Sequence, residues 1–247
     1  MVLLAAAASG APSYSAAGIV NAGNYVAGPF APNSILTIFG SGLARSSQGL
    51  TAADIQDGNL PTELNFTQVF VDNYPAPLFY VSDGQINFLV PGNQSPGNAR
   101  IRVAMQGNSG PEVTVAIATA APALFSTPAG FAIVTHADNS LVAPDSPAHS
   151  GEIVVVYATG LGKTAPNPAT GAIAHFAAQI VALADLRVSV GGAVLGADRI
   201  KYAGLTPESA GLYQINLAMP ESPGTDPEIR VAIGDQSTPP GLKIAFR

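Results

Sequence analysis

The sequence predicts an all-β protein built from two tandem immunoglobulin-like β-sandwich domains related by internal duplication. Three observations lead there. Short apolar runs alternate with turn residues, including 26 Gly and 21 Pro in 247 residues. Charged residues are only 11% of the chain, too few to cover the solvent faces of a helical bundle. The third is repetition: Gln85-Ile86-Asn87-Phe88-Leu89-Val90-Pro91 returns as Gln214-Ile215-Asn216-Leu217-Ala218-Met219-Pro220, 129 residues later. Regular apolar runs argue against disorder, the other reading of a Gly- and Pro-rich chain.

Composition also excludes function classes. Net charge is −6, and the three Lys and seven Arg are scattered, so neither nucleic acid nor an anionic membrane surface is an expected partner. There is no Cys, which removes disulfides, thiolate metal sites and thiol catalysis while leaving the redox compartment open. No apolar run is long enough to predict a membrane span. Residues 1–12, an apolar run followed by small residues, read as a signal-peptide remnant, although a plain Ala-rich terminus has the same pattern.

From residue 13 the elements follow in order. Residues 13–34 are small and polar, predicting a short irregular strand near Ile19-Val20 and loops near Tyr25-Val26. Ile35-Leu36-Thr37-Ile38-Phe39 is a strand closed by Gly40-Ser41-Gly42-Leu43. Its echo is Ile153 to Leu161, with Gly42 falling on Gly160. Val69-Phe70-Val71 runs into Asp72-Asn73, and Leu186 to Val190 into Gly191-Gly192. Both dipeptides suit two-residue hairpin turns with positive φ. Leu78-Phe79-Tyr80-Val81 and Ile200-Lys201-Tyr202-Ala203 form the next pair, and the Gln-Ile-Asn strands follow.

Alternating strands at Ala99–Ala104 and Glu228–Ala232, then Val113–Ile117 and Leu242–Phe246, close the two halves. Thr170–Asp185 lacks a clean amphipathic stripe and reads as a loop or short helix. Five echoes in one order predict domains at 13–120 and 121–247. One larger sandwich with a shared core is the other architecture compatible with the pattern.

The motifs Ser34-Ile35-x-Thr37-Ile38-Phe39-Gly40-x-Gly42-Leu43, Pro75-Ala76-Pro77-Leu78-x-Tyr80-Val81 and Gln85-Ile86-Asn87-Phe88-x-Val90-Pro91, with Tyr157–Gly162 and Gly211–Asn216, cover nearly the whole chain. In these motifs the chain resembles the C-terminal domain of unknown function of large secreted acidobacterial proteins, the Solibacter-type C-terminal domain. The resemblance implies an extracellular bacterial module, Ig-like and related to the IPT/TIG type. It brings no catalytic residues, and it implies a larger parent polypeptide.

Candidate chemistry is sparse. In the opening motif Gln85 and Asn87 share one strand face, as do Gln214 and Asn216 in its copy. They are an amide ligand-binding pair or a packing solution, and their presence in both halves favours packing. Tyr74, at a hairpin tip, is the best placed of the loop tyrosines Tyr14, Tyr25 and Tyr74 for a glycan.

His136-x-Asp138, with Asp145 nearby, is a candidate metal pair, and His149 and His175 complete the histidines of the chain. Asp54, Asp57, Asp72, Asp138, Asn139 and Asp145 are oxygen ligands of the kind Ca²⁺ takes, without the spacing of a dedicated calcium loop. No other cofactor is predicted. Ser41 is Gly-flanked but lacks the five-residue nucleophile elbow, and no His occurs in the first half.

The predicted function is therefore a secreted, non-enzymatic Ig-like module for adhesion, assembly or spacing at the bacterial cell surface, with an extracellular glycan or protein as partner. A polysaccharide-binding module is the alternative. A hydrolase or metal-dependent enzyme using second-half His and Asp residues is the third reading. Function is to be sought where the halves differ: Leu50–Glu63, Lys163–Asp185 and Thr206–Gly211.

Overall fold

A computed structural model describes residues 10–247, and Met1–Ser9, most of the predicted signal remnant, lie outside the described residues. The chain is all-β, with antiparallel sheets arranged as Ig-like sandwiches. In the first half one sheet runs Ser13–Asn21, Ile35–Ser41, Gln85–Leu89, Leu78–Val81, Gln48–Gly49. The facing sheet runs Val113–Ile117, Gly97–Met105, Thr67–Val71, Tyr74–Ala76. In the second half the larger sheet runs Ala123–Leu124, Ile153–Thr159, Tyr213–Ala218, Ile200–Leu205, Ala178–Ile180, Thr164–Ala165. Its partner runs Ala193–Val194, Leu186–Val190, Ile229–Ile233, Gln236–Ser237.

Alternation builds both cores. Leu36, Ile38, Ile86 and Phe88 of one sheet meet Val69, Val71, Ile101 and Val103 of the other, all at 0–1% exposure. Val154, Val156, Ile215 and Leu217 meet Val188, Val190, Ile229 and Val231 in the second half. Each such side chain contributes about 1.5–3 kcal/mol of burial. The main clusters of the two halves contain no residue in common, and a small third cluster joins Leu60 and Leu89 to Ala210.

The hairpin dipeptides behave as their composition requires. Asp72 and Asn73 have φ of 49° and 69°, and Gly191 and Gly192 have 62° and 82°. The central strands also share a defect. Leu78 lies opposite Phe88 but Tyr80 lies opposite Asn87, and Ile200 opposite Leu217 but Tyr202 opposite Asn216. This one-residue bulge turns Tyr80 and Tyr202 to the outer face beside the amides.

Three expectations need correction. The first strand is longer than expected, Ser13–Asn21, because it pairs with Ile35–Ser41 at both ends, with an irregular register between Tyr14 and Ile19. Thr170–Asp185 is neither plain loop nor helix: Ala178–Ile180 is a strand paired to Ile200–Leu205, and only Leu183–Asp185 forms a 3-10 turn. The closing segment Leu242–Phe246 is held by isolated bridges from Lys243 and Phe246 rather than by a continuous ladder.

Candidate functional site

The Gln-Ile-Asn strand is central in both large sheets. Ile86 and Phe88 point into the core, so Gln85 and Asn87 stand on the outer face. The Gln85 amide NH₂ donates to the Asn87 side-chain oxygen at 2.9 Å, and the buried Thr37 hydroxyl donates to the same oxygen at 3.0 Å. In the copy, Gln214 donates to Asn216 at 2.9 Å. Identical pairing in both halves is a cross-face brace of the central strand. In both copies the Gln carbonyl oxygen and the Asn NH₂ have no protein partner among the described residues.

The surroundings of the two pairs differ. In the first half Phe39 lies directly opposite Gln85 and is 41% exposed. Tyr25, 63% exposed, approaches it with ring centroids 6.1 Å apart and planes tilted by 35°. Tyr80 sits opposite Asn87, and hydrogen bonds from the Ser47 and Ser82 side chains hold its phenol below the usual tyrosine range. In the second half Tyr157 takes the place of Phe39 and Tyr202 that of Tyr80. The Tyr202 hydroxyl is tied to the backbone: it donates to the Leu205 carbonyl at 2.8 Å and accepts from the Ala178 N–H at 3.1 Å. Burial pushes that phenol up.

Phe39 carried a signal the sequence reading passed over. The alternation of Ile35-x-Thr37-x-Phe39 puts a large ring on the solvent side of a strand. Tyr25 could be named only as a loop tyrosine, because its contact with Phe39 depends on how its turn folds back.

The predicted metal residues are placed apart in function. His136 Nδ1 meets Glu152 Oε1 at 2.5 Å, and its Nε2 faces the Ser146 carbonyl oxygen at 3.1 Å. The Ser146 hydroxyl also reaches Nε2, at 3.3 Å. The Glu152 hydrogen bond chiefly holds its pKa above the usual histidine value. Asp138 accepts from the Ser140 N–H at 2.9 Å and its hydroxyl at 2.6 Å, an ordinary Asx turn that lowers its pKa.

His149 faces the Arg247 carbonyl, and His175 pairs with Glu208 at 2.7 Å on exposed loops. Among the described residues no three His, Cys, Asp or Glu side chains group to hold a metal ion. Of the candidate calcium ligands, Asp54 caps its own turn through Thr51, and Asp72 accepts from the Arg100 N–H at 2.9 Å and from Gln94 at 3.0 Å. Tyr74 is 61% exposed at its hairpin, remote in the fold from Gln85 because it lies on the opposite sheet. Ser41 is exposed at the end of its strand.

The loops that differ between halves meet one another. Leu60 N–H donates to Gly171 O at 2.9 Å and Ile173 N–H to Gly58 O at 2.8 Å, around an antiparallel bridge between Asn59 and Ala172. Behind it Leu60, Leu89 and Ala210 form a separate apolar cluster with Ile35, Leu50 and Phe79. A cavity of about 320 Å³ with Glu208 at its edge opens over this cluster. On the other side the buried Thr159 hydroxyl accepts from the Ile35 N–H at 2.9 Å and donates to the Gly211 carbonyl at 3.1 Å. Ala121 N–H donates to Gly160 O at 2.8 Å. Tyr213, wholly buried beside this junction, donates to the Gly162 carbonyl, and burial pushes its phenol far up.

Fold and outer face together define an immunoglobulin-like β-sandwich module. Residues 25–117 match the IPT/TIG domain, so the first half is an Ig-like, IPT/TIG-related domain. No curated protein matches the chain. Among solved structures, the full extracellular region of plexin A4 is similar at 12% identity and a TM-score of 0.32, over 100% of this chain and 16% of that one. A surface glycan-binding protein from Prevotella bryantii is similar at 15% identity and a TM-score of 0.28, over 96% of this chain and 42% of that one. A Bacteroides ovatus glycan-binding protein from a mixed-linkage glucan utilization locus, in complex with a mixed-linkage heptasaccharide, is similar at 12% identity and a TM-score of 0.34, over 87% and 44%. These are distant likenesses, and the chain spans less than half the length of each of these proteins. Among the described residues no helix is long and apolar enough to cross a membrane.

Proposed function

We propose that the chain is a non-enzymatic, two-domain Ig-like module that works outside a bacterial cell, in adhesion, assembly or spacing, as part of a larger polypeptide of the Solibacter-type kind. Its domains are 13–120 and 121–247, products of an internal duplication. The observation that carries this reading is the junction: the segments that escaped duplication, Leu50–Glu63, Lys163–Asp185 and Thr206–Gly211, bond to one another across the two sandwiches. A flexible pair of domains would leave such loops in solvent. Chain invested in the junction instead holds the halves in one arrangement, which is what a spacer or an assembly module requires.

Small-angle scattering of the whole chain tests it. A single arrangement of the two sandwiches should fit the curve, and Thr159→Val combined with Gly160→Ala should broaden it to a distribution. A wild-type curve that needs many arrangements would overturn the reading.

A further inference from the structure

We propose that the outer face of the first sandwich's large sheet binds a neutral glycan, with Tyr25 and Phe39 stacked on sugar rings and Gln85 and Asn87 bonded to sugar hydroxyls. The inference rests on the reading of the chain as an extracellular interaction module, and it supplies that module's ligand class.

Four observations carry it. Two large rings stand together in solvent, 63% and 41% exposed, where packing alone would bury at least one. Tyr25 is held there at a cost, since its φ of 56° is left-handed, a region bulky side chains avoid. Its turn enforces that conformation: Tyr25 N–H donates to Asn21 O at 2.8 Å, Asn21 N–H to Val26 O at 2.9 Å, and Val26 N–H to the Asn24 side chain at 3.0 Å. The Gln85 carbonyl oxygen, directly across from Phe39, and the Asn87 NH₂, across from Thr37, have no protein partner among the described residues, while the bond between the two side chains fixes their direction.

The fourth observation is charge: no side chain among Tyr25, Phe39, Gln85, Asn87 and Tyr80 is a carboxylate, ammonium, guanidinium or imidazole. A pyranose chain matches this set. Its C–H faces lie on aromatic rings, and its hydroxyls both donate to an amide oxygen and accept from an amide NH₂. The second sandwich repeats the amides without the ring pair. Binding is therefore assigned to the first sandwich alone.

Native gels containing hydroxyethylcellulose, dextran or galactomannan, with polygalacturonate as the anionic case, test the whole chain. Retardation is expected in at least one neutral gel. Phe39→Ala and Tyr25→Ala should each weaken it about tenfold, roughly the worth of one stacked ring. Gln85→Ala should weaken it several-fold, whereas Gln214→Ala should leave it unchanged. Phe39→Tyr keeps a ring in place and should retain binding, which guards against misreading a folding defect in Phe39→Ala. The proposal is overturned if no neutral gel retards the chain, if only polygalacturonate does, or if Gln214→Ala weakens binding as much as Tyr25→Ala. Any of these results leaves the fixed-tandem reading standing, because that reading depends on scattering rather than on a ligand.

Discussion

The two Gln-Ile-Asn strands are the same local solution placed in two settings. Each is the centre of its sheet, each sends two apolar side chains inward, and each ties Gln to Asn at 2.9 Å. In the first sandwich the amides lie open beside an exposed ring pair. In the second, the strand next to them leads into the junction, and the hydroxyl of the neighbouring tyrosine is turned to backbone. The difference teaches that a repeated motif secures a fold, while neighbouring unrepeated residues decide what each copy presents.

The largest effect is expected at the glycines that close the two equivalent strands. Gly42 and Gly160 both have left-handed φ, 66° and 76°. A Cβ at Gly160 would lie 2.2 Å from the Ala121 carbonyl oxygen, whereas one at Gly42 would lie 3.6 Å from its nearest neighbour. Gly160→Ala combines backbone strain with overlap and should lower unfolding free energy by about 3 kcal/mol. Gly42→Ala meets only the strain, about 1 kcal/mol. Equal costs in urea denaturation would show that the junction does not close on Gly160.

The residues one position earlier sharpen the same contrast. Thr159→Val strips a buried acceptor from Ile35 N–H and a donor from Gly211 O, and should cost about 2–3 kcal/mol. Ser41→Ala, at an exposed site, should stay within about 0.5 kcal/mol. Next come the amides themselves. Asn87→Ala removes the acceptor of both Gln85 and the buried Thr37 hydroxyl, about 2 kcal/mol, while Asn216→Ala loses only Gln214, about 1 kcal/mol. A larger loss at Asn216 would reverse the comparison.

The smallest effect is the pH dependence near neutrality that His136 gives the second half, which holds all three His of the chain. His136 is held above the ordinary value of 6.5 by Glu152, with Ser146 and Asp138 adding to it. A raised folded pKa gives stability that is complete below the unfolded value and lost as pH rises through the folded one. The destabilisation caused by His136→Gln should therefore be larger at about pH 5.5 than at about pH 8.5 in thermal melts. A gap that grows with pH would show that the imidazolium is not the bonded form.

Much of this was legible in the chain, for physical reasons. Period-two alternation determined which of Ile86, Phe88, Ile215 and Leu217 face inward, because a strand has only two faces. Asp72-Asn73 and Gly191-Gly192 determined the hairpins, because few residues tolerate positive φ. Local chemistry sufficed in each case. It did not suffice for Ser13–Asn21 or Ala178–Ile180, whose weak patterns become strands only because neighbours offer edges to pair with.

The sequence by itself thus determined the all-β class and the inward faces of the central strands. Only the tertiary structure decided that Tyr25 reaches Phe39, that the Tyr202 hydroxyl is tied to backbone while that of Tyr80 meets Ser47 and Ser82, and that Leu60 and Ile173 bond to the loop across the junction. Tyr25 and Phe39 lie 14 positions apart, Leu60 and Gly171 lie 111 apart, and Ile173 and Gly58 lie 115 apart, and no local propensity encodes which distant partner a loop will meet.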